Sequence, residues 1–70
     1  MAKLSDTLYA ELRRRIMSGH YAPGERLREE SLAQEMQVSR TPVRAALQRL
    51  VEDGLLVAAI KESIETNVTT

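Results

Sequence analysis

Apolar residues recur at three- to four-residue intervals along three stretches of this chain, and they alternate along a fourth. Leu8, Leu12 and Ile16 form the first stripe, the spacing of one buried helix face. It predicts a helix from Asp6 or Thr7 to Ser18, with Ser5 or Asp6 able to cap its start and Gly19 its end. Tyr21-Ala22-Pro23-Gly24 reads as a turn or loop through its Pro-Gly pair. Leu32, Ala33 and Met36 predict a second helix over about residues 29–36, where Glu29 and Glu30 fall in the first turn and suit the helix dipole.

A third helix follows after only three residues. Ser39 is placed to cap it, because a serine hydroxyl can accept an orphan N–H of the first turn. Pro42 lies inside that turn, where its missing N–H costs little. At 100° per residue, Val43, Ala46, Leu47 and Leu50 gather on one side. Thr41, Arg44, Ala45, Gln48 and Arg49 gather on the other, with Arg40 at the leading edge and no acid before Glu52. Arginine can pair with guanine O6 and N7, glutamine with adenine, and alanine can meet the thymine methyl. Helix, tight turn and basic helix is the layout of a helix-turn-helix, spanning about residues 29–53, whose second helix enters the major groove. The helix should end at Asp53, with Gly54 in the left-handed position beyond.

The tail permits two readings. Ile60, Glu62, Ile64, Thr66 and Val68 alternate among β-branched residues, which predicts a hairpin of 56–60 against 64–69 through Lys61-Glu62-Ser63. Val57, Ile60, Ile64 and Val68 also recur at helical spacing. The hairpin is the preferred reading of the two. The predicted core is Leu8, Leu12, Ile16, Leu27, Leu32, Met36, Val38, Val43, Leu47, Leu50 and Leu55.

Seventy residues make one small domain, near the lower limit for a single core without staples. There is no cysteine, which removes disulfides and thiolate metal sites. His20 stands alone, without partners for a zinc site, and reads as a turn or surface residue. No serine has a neighbouring base, no glycine-rich phosphate cradle appears, and two tyrosines are too few to stack single strands. No enzyme, cofactor or metal is expected. No apolar run reaches the ~20 residues of a membrane span, and no secretory pattern opens the chain, so the cytoplasm is the expected location. Net charge is zero, but it is unevenly spread. Residues 13–49 hold eight arginines against Glu25, Glu29, Glu30 and Glu35, a surplus of four positive charges that the rest of the chain cancels. Arg13, Arg14 and Arg15 point in three directions around the first helix, so at least one is expected to be solvated.

Gly19-His20-Tyr21-Ala22-Pro23-Gly24-Glu25-Arg26-Leu27, Glu29, Leu32-Ala33, Val38-Ser39-Arg40-Thr41-Pro42-Val43-Arg44, Ala46-Leu47, Leu50 and Gly54-Leu55 resemble the N-terminal winged-helix domain of GntR-family transcription regulators. Within that family the FadR-like branch is the most similar. The resemblance covers roughly residues 5 to 57. It implies a mainly α, three-helix winged helix-turn-helix with a short C-terminal β-hairpin wing, filling residues 1–70. It also implies a homodimer binding a short palindrome of double-stranded DNA. Ser39, Arg40, Thr41 and Arg44 match the family's DNA-contacting positions, with Pro42 shaping the helix start; Ala45, Gln48 and Arg49 complete the expected site on that face.

Three departures from the family alter these expectations. Gln37 stands where glycine is usual in the turn, at a cost on the order of 1 kcal/mol if it is left-handed. Ala45 replaces a glutamate, which is expected to free the basic face of an internal counter-charge. The family's glycine-rich wing tip is replaced by a stretch carrying Glu62 and Glu65, so the wing is expected to add little to DNA affinity. The family's effector-binding domain is C-terminal, so neither it nor a small-molecule site is expected within these residues. An alternative is a winged-helix protein-interaction module that has lost duplex binding and presents its acidic tail to another protein.

Overall fold

A computed structural model describes residues 3–60 and 64–68 of the chain. The elements run α1 (Leu4–Met17), β1 (Arg26–Arg28), α2 (Glu29–Met36), α3 (Arg40–Glu52), β2 (Leu56–Ile60) and β3 (Ile64–Val68). Leu8 and Leu12 of α1 meet Val43, Ala46, Leu47 and Leu50 of α3, all of them buried. Leu27, Leu32, Ala33, Leu56 and Val68 close this core from β1, α2 and the sheet. The fold is a mainly helical winged helix.

Helix α1 starts two or three residues earlier than the periodicity implies and ends one residue sooner, at Met17. Neither Ser5 nor Asp6 is its N-cap: Lys3 is, and its backbone N–H donates to the Asp6 carboxylate at 3.3 Å. An acid at the third helical position can satisfy an orphan donor by reaching back, which is half of a capping box. All three helices end alike. The N–H groups of His20, Val38 and Leu55 donate back to the carbonyls of Arg15, Ala33 and Leu50 at 2.9–3.0 Å, the six-to-one bond of a Schellman motif. Gly19 and Gly54 take the left-handed position in two of these stops, and Gln37, at φ 58° and ψ 46°, takes it in the other.

The hairpin reading of the tail holds. β2 and β3 pair antiparallel from Leu56 opposite Val68 to Ile60 opposite Ile64; the expected turn at Lys61, Glu62 and Ser63 lies outside the described residues. What periodicity missed is β1. It pairs antiparallel with the other edge of β3, Leu27 opposite Thr66, giving the sheet order β1-β3-β2. Gly24 N–H donates to the Val68 carbonyl and Val68 N–H to the Glu25 carbonyl, extending this contact into the preceding turn.

The core differs from expectation in a few places. Leu56, not Leu55, is fully buried, because Leu55 completes the α3 stop and strand alternation then turns Leu56 inward. Ile16, Met36 and Val38 are half-buried at the margin. Tyr21 belongs to the core, with the His20 ring edge-on against it.

Candidate nucleic-acid interface

α2 and α3 are joined by three residues, Gln37, Val38 and Ser39. The left-handed Gln37 reverses the chain, and Val38 packs against the core margin. Ser39 occupies the N-cap with extended backbone, but its hydroxyl makes no cap hydrogen bond. The expected cap therefore holds by position and not by bonding, and the Ser39 hydroxyl stays on the exposed end of the helix.

α3 buries Val43, Ala46, Leu47 and Leu50, as its pattern requires. Arg40, Thr41, Arg44, Gln48 and Arg49 are exposed, and Pro42 and Ala45 are half-buried. The predicted residues thus share one helix, but they divide into two groups.

Arg40 and Arg44 lie one turn apart on the flank toward α2, where Glu29 is waiting. Arg44 donates from Nε to Glu29 Oε2 at 3.0 Å and from Nη2 to Oε1 at 3.1 Å; Arg40 Nε donates to the same Oε1 at 3.1 Å. The Glu29 side chain is 2 % exposed, while those of Arg40 and Arg44 are 54 % and 52 % exposed. One sunken carboxylate therefore braces two cations whose outer parts remain in water. The Arg44 hydrogen bonds, with the Arg40 charge beside them, hold the Glu29 carboxyl below its usual range against the opposing effect of burial. The same carboxylate raises the Arg44 guanidinium. Ala45 does not leave this face without a counter-charge: Glu29 supplies one from the neighbouring helix.

Arg49 sits on the opposite flank, against α1. Its Nη1 lies 2.7 Å from Asp6 Oδ1, and its guanidinium covers the Tyr9 ring 3.9 Å from the centroid. The Tyr9 hydroxyl donates to the Asp53 carboxylate, which raises the Tyr9 pKa. This cluster fastens α1 to the end of α3. On α1 itself, Arg14 and Arg15 both donate to Glu11, at 2.7 and 2.8 Å, and Arg15 also reaches the Tyr21 hydroxyl. Arg13 remains exposed.

Sequence reasoning missed Glu29 as a site residue. Its place in a first turn is what any dipole-favoured surface acid would show; its burial depends on arginines eleven and fifteen positions further on. Among the described residues, no three His, Cys, Asp or Glu side chains converge on a metal position. No described helix is long and apolar enough to cross a membrane.

A helix, a three-residue turn and a second helix with an exposed arginine flank, backed by a small antiparallel sheet, define a winged helix-turn-helix protein. Residues 4–66 match the family described as bacterial regulatory proteins, gntR family, and the chain belongs to it. It is 46 % identical over 50 residues to an uncharacterised HTH-type transcriptional regulator, YdhC, of Bacillus subtilis, covering 71 % of this chain and 22 % of that protein. It is 42 % identical over 52 residues to the Nta operon transcriptional regulator of Aminobacter aminovorans, covering 74 % and 25 %. The chain thus spans about a quarter of the length of these curated relatives. Among solved structures, E. coli McbR/YncC superposes with a TM-score of 0.88 at 32 % identity, over 99 % of this chain and 32 % of that one.

Proposed function

We propose that this chain is the DNA-reading domain of a transcription regulator of the FadR-like branch, acting in the cytoplasm with α3 in the major groove of double-stranded DNA. The observation that carries this reading is the outer face of α3. Arg40, Thr41, Arg44 and Gln48 stand exposed there, with no acid along the helix before Glu52. A groove about 12 Å wide admits such a helix, and these side chain types match base edges. Arg44, one turn inside the helix, reads a base edge, best a guanine; Thr41, Ala45 and Gln48 lie beside it. Ser39 and Arg40 meet the flanking backbone, and Pro42 fixes the angle of entry. Arg49 is left with at most a phosphate contact, because Asp6 and Tyr9 already engage it. A second copy reads the other half of a short palindrome. The surplus positive charge of residues 13–49 supports docking, and the zero total keeps non-specific affinity low.

The zero total also favours the alternative of a protein-interaction module. Titration into random duplex and into duplexes selected from a random pool separates the two. A DNA reader enriches a sequence and binds it with an affinity that falls steeply between about 50 and 200 mM salt. An interaction module does neither. In the reader, Arg44→Ala loses about 1–3 kcal/mol on the selected duplex and relaxes preference at one position.

A further inference from the structure

We propose that Glu29, outside the DNA-contacting helix, is a positioning residue that aims Arg44 and Arg40 and so sets how well this protein tells one sequence from another. The inference rests on the groove reading proposed above. Its basis is the way the contacts divide. Arg44 gives the edge formed by Nε and one N–H of Nη2 to Glu29, and this leaves the end fork, made by Nη1 and the second N–H of Nη2, with no further hydrogen bond among the described residues. That end fork is the one with which a guanidinium can grip guanine O6 and N7. An arginine held along its side edge presents its end fork in one direction, whereas an unbraced arginine samples many rotamers and settles on any nearby phosphate. The brace is itself fixed: Glu29 is buried at the first position of α2, behind the groove-facing surface and out of reach of solvent competition. A single carboxylate shared by two arginines also cancels one of their two charges. Glu29 thus lowers the attraction common to all duplexes while directing the contact that differs between them.

This predicts opposite changes on two probes. The first probe is a duplex enriched by the parent chain from a random pool; the second is a random duplex of equal length. Glu29→Gln keeps the shape and removes the charge. It should bind the selected duplex about tenfold or more weakly and the random duplex a few-fold more tightly at low salt. Its salt dependence should steepen by about 0.9 in the slope of log K against log salt, as for one more neutralised phosphate. A carboxylate with a purely structural role would lower both affinities together, in step with the folded fraction from circular dichroism. That result, or an unchanged preference for the selected duplex, overturns the inference. Should Glu29→Gln fail to fold, Glu29→Asp decides the matter: it keeps the charge but withdraws the carboxylate by one methylene, so selected-duplex affinity should drop while random-duplex affinity holds. Equal loss on both again overturns it. In an Arg40→Ala/Arg44→Ala background, adding Glu29→Gln should no longer change the preference between the duplexes, and a further loss of preference there counts against positioning. A parent chain that enriches no duplex sinks the groove reading itself, and this inference with it.

Discussion

Gln37 holds a left-handed backbone, φ 58° and ψ 46°, in the turn between α2 and α3. A side chain there costs about 1–2 kcal/mol, and glycine would relieve it at a smaller cost in unfolded-chain entropy. Gln37→Gly should therefore stabilise the fold by about 0.5–1 kcal/mol, seen as a higher urea midpoint at unchanged slope. A lower midpoint would mean that the glutamine side chain offsets its own strain. Arg44 calls for the opposite caution. Arg44→Ala takes two of the three hydrogen bonds from a carboxylate that stays buried, an expected stability cost of about 1–3 kcal/mol. The sign with pH follows. Glu29 is held below its ordinary value, so its contribution is present above that value and is lost as pH falls below it. Arg44→Ala should flatten this acid dependence, and urea unfolding at several pH values would show it. DNA affinities of the variant need correction for its folded fraction.

At the scale of elements, α1 is secured to α3 in two ways, and their weights differ. Leu47→Ala opens a cavity in the shared core and should cost about 2–5 kcal/mol, close to the whole stability of so small a domain. Arg49→Ala removes an exposed ion pair and a cation–π contact, together about 1 kcal/mol; it should lower the melting temperature slightly and leave sequence preference intact. A lost preference in Arg49→Ala would return that residue to the reading face. Glu11 adds an acid-sensitive tie. Its two arginines hold its carboxyl at about 2, below the ordinary 4.5. The unfolded chain thus binds the proton first, and stability falls as pH drops from about 4.5 toward 2; Glu11→Gln should lessen that slope. These elements were unequally legible in the sequence. α2 runs over the expected residues and α3 within one residue of expectation, because Leu32, Ala33, Val43, Leu47 and Leu50 keep a clean helical period. The hairpin was legible through its β-branched alternation. β1 was not, since Arg26-Leu27-Arg28 has one apolar residue and no period; it is a strand because the edge of β3 offers it a ladder. The arginines of the candidate site were legible from the face of α3, while Glu29 was hidden because its partners lie in another helix.

For the whole molecule, size and charge bear on how many copies DNA requires. The domain measures 32 × 29 × 21 Å, and helix-turn-helix half-sites recur about one turn, roughly 34 Å, apart. Two copies seated on successive major grooves of one duplex face would meet edge to edge, with little surface overlapping. Most of the leucines are committed to the single core, and among the described residues Leu4, Met17 and Val57 are the large apolar side chains left exposed, too few for a strong contact between copies. The isolated chain should therefore run as a monomer at micromolar concentration in analytical ultracentrifugation and bind a palindrome only moderately better than one half-site. Fusion to a dimerising partner should tighten palindrome binding by about 10²–10⁴, because the second half-site is then engaged at high local concentration, while half-site affinity stays as it was. The gain should peak when half-site centres are 10–10.5 base pairs apart and fall when five are inserted, which turns the second site to the opposite face of the duplex. Equal affinity of the fused protein for palindrome and half-site, or indifference to the insertion, would mean that one copy of α3 carries the whole recognition.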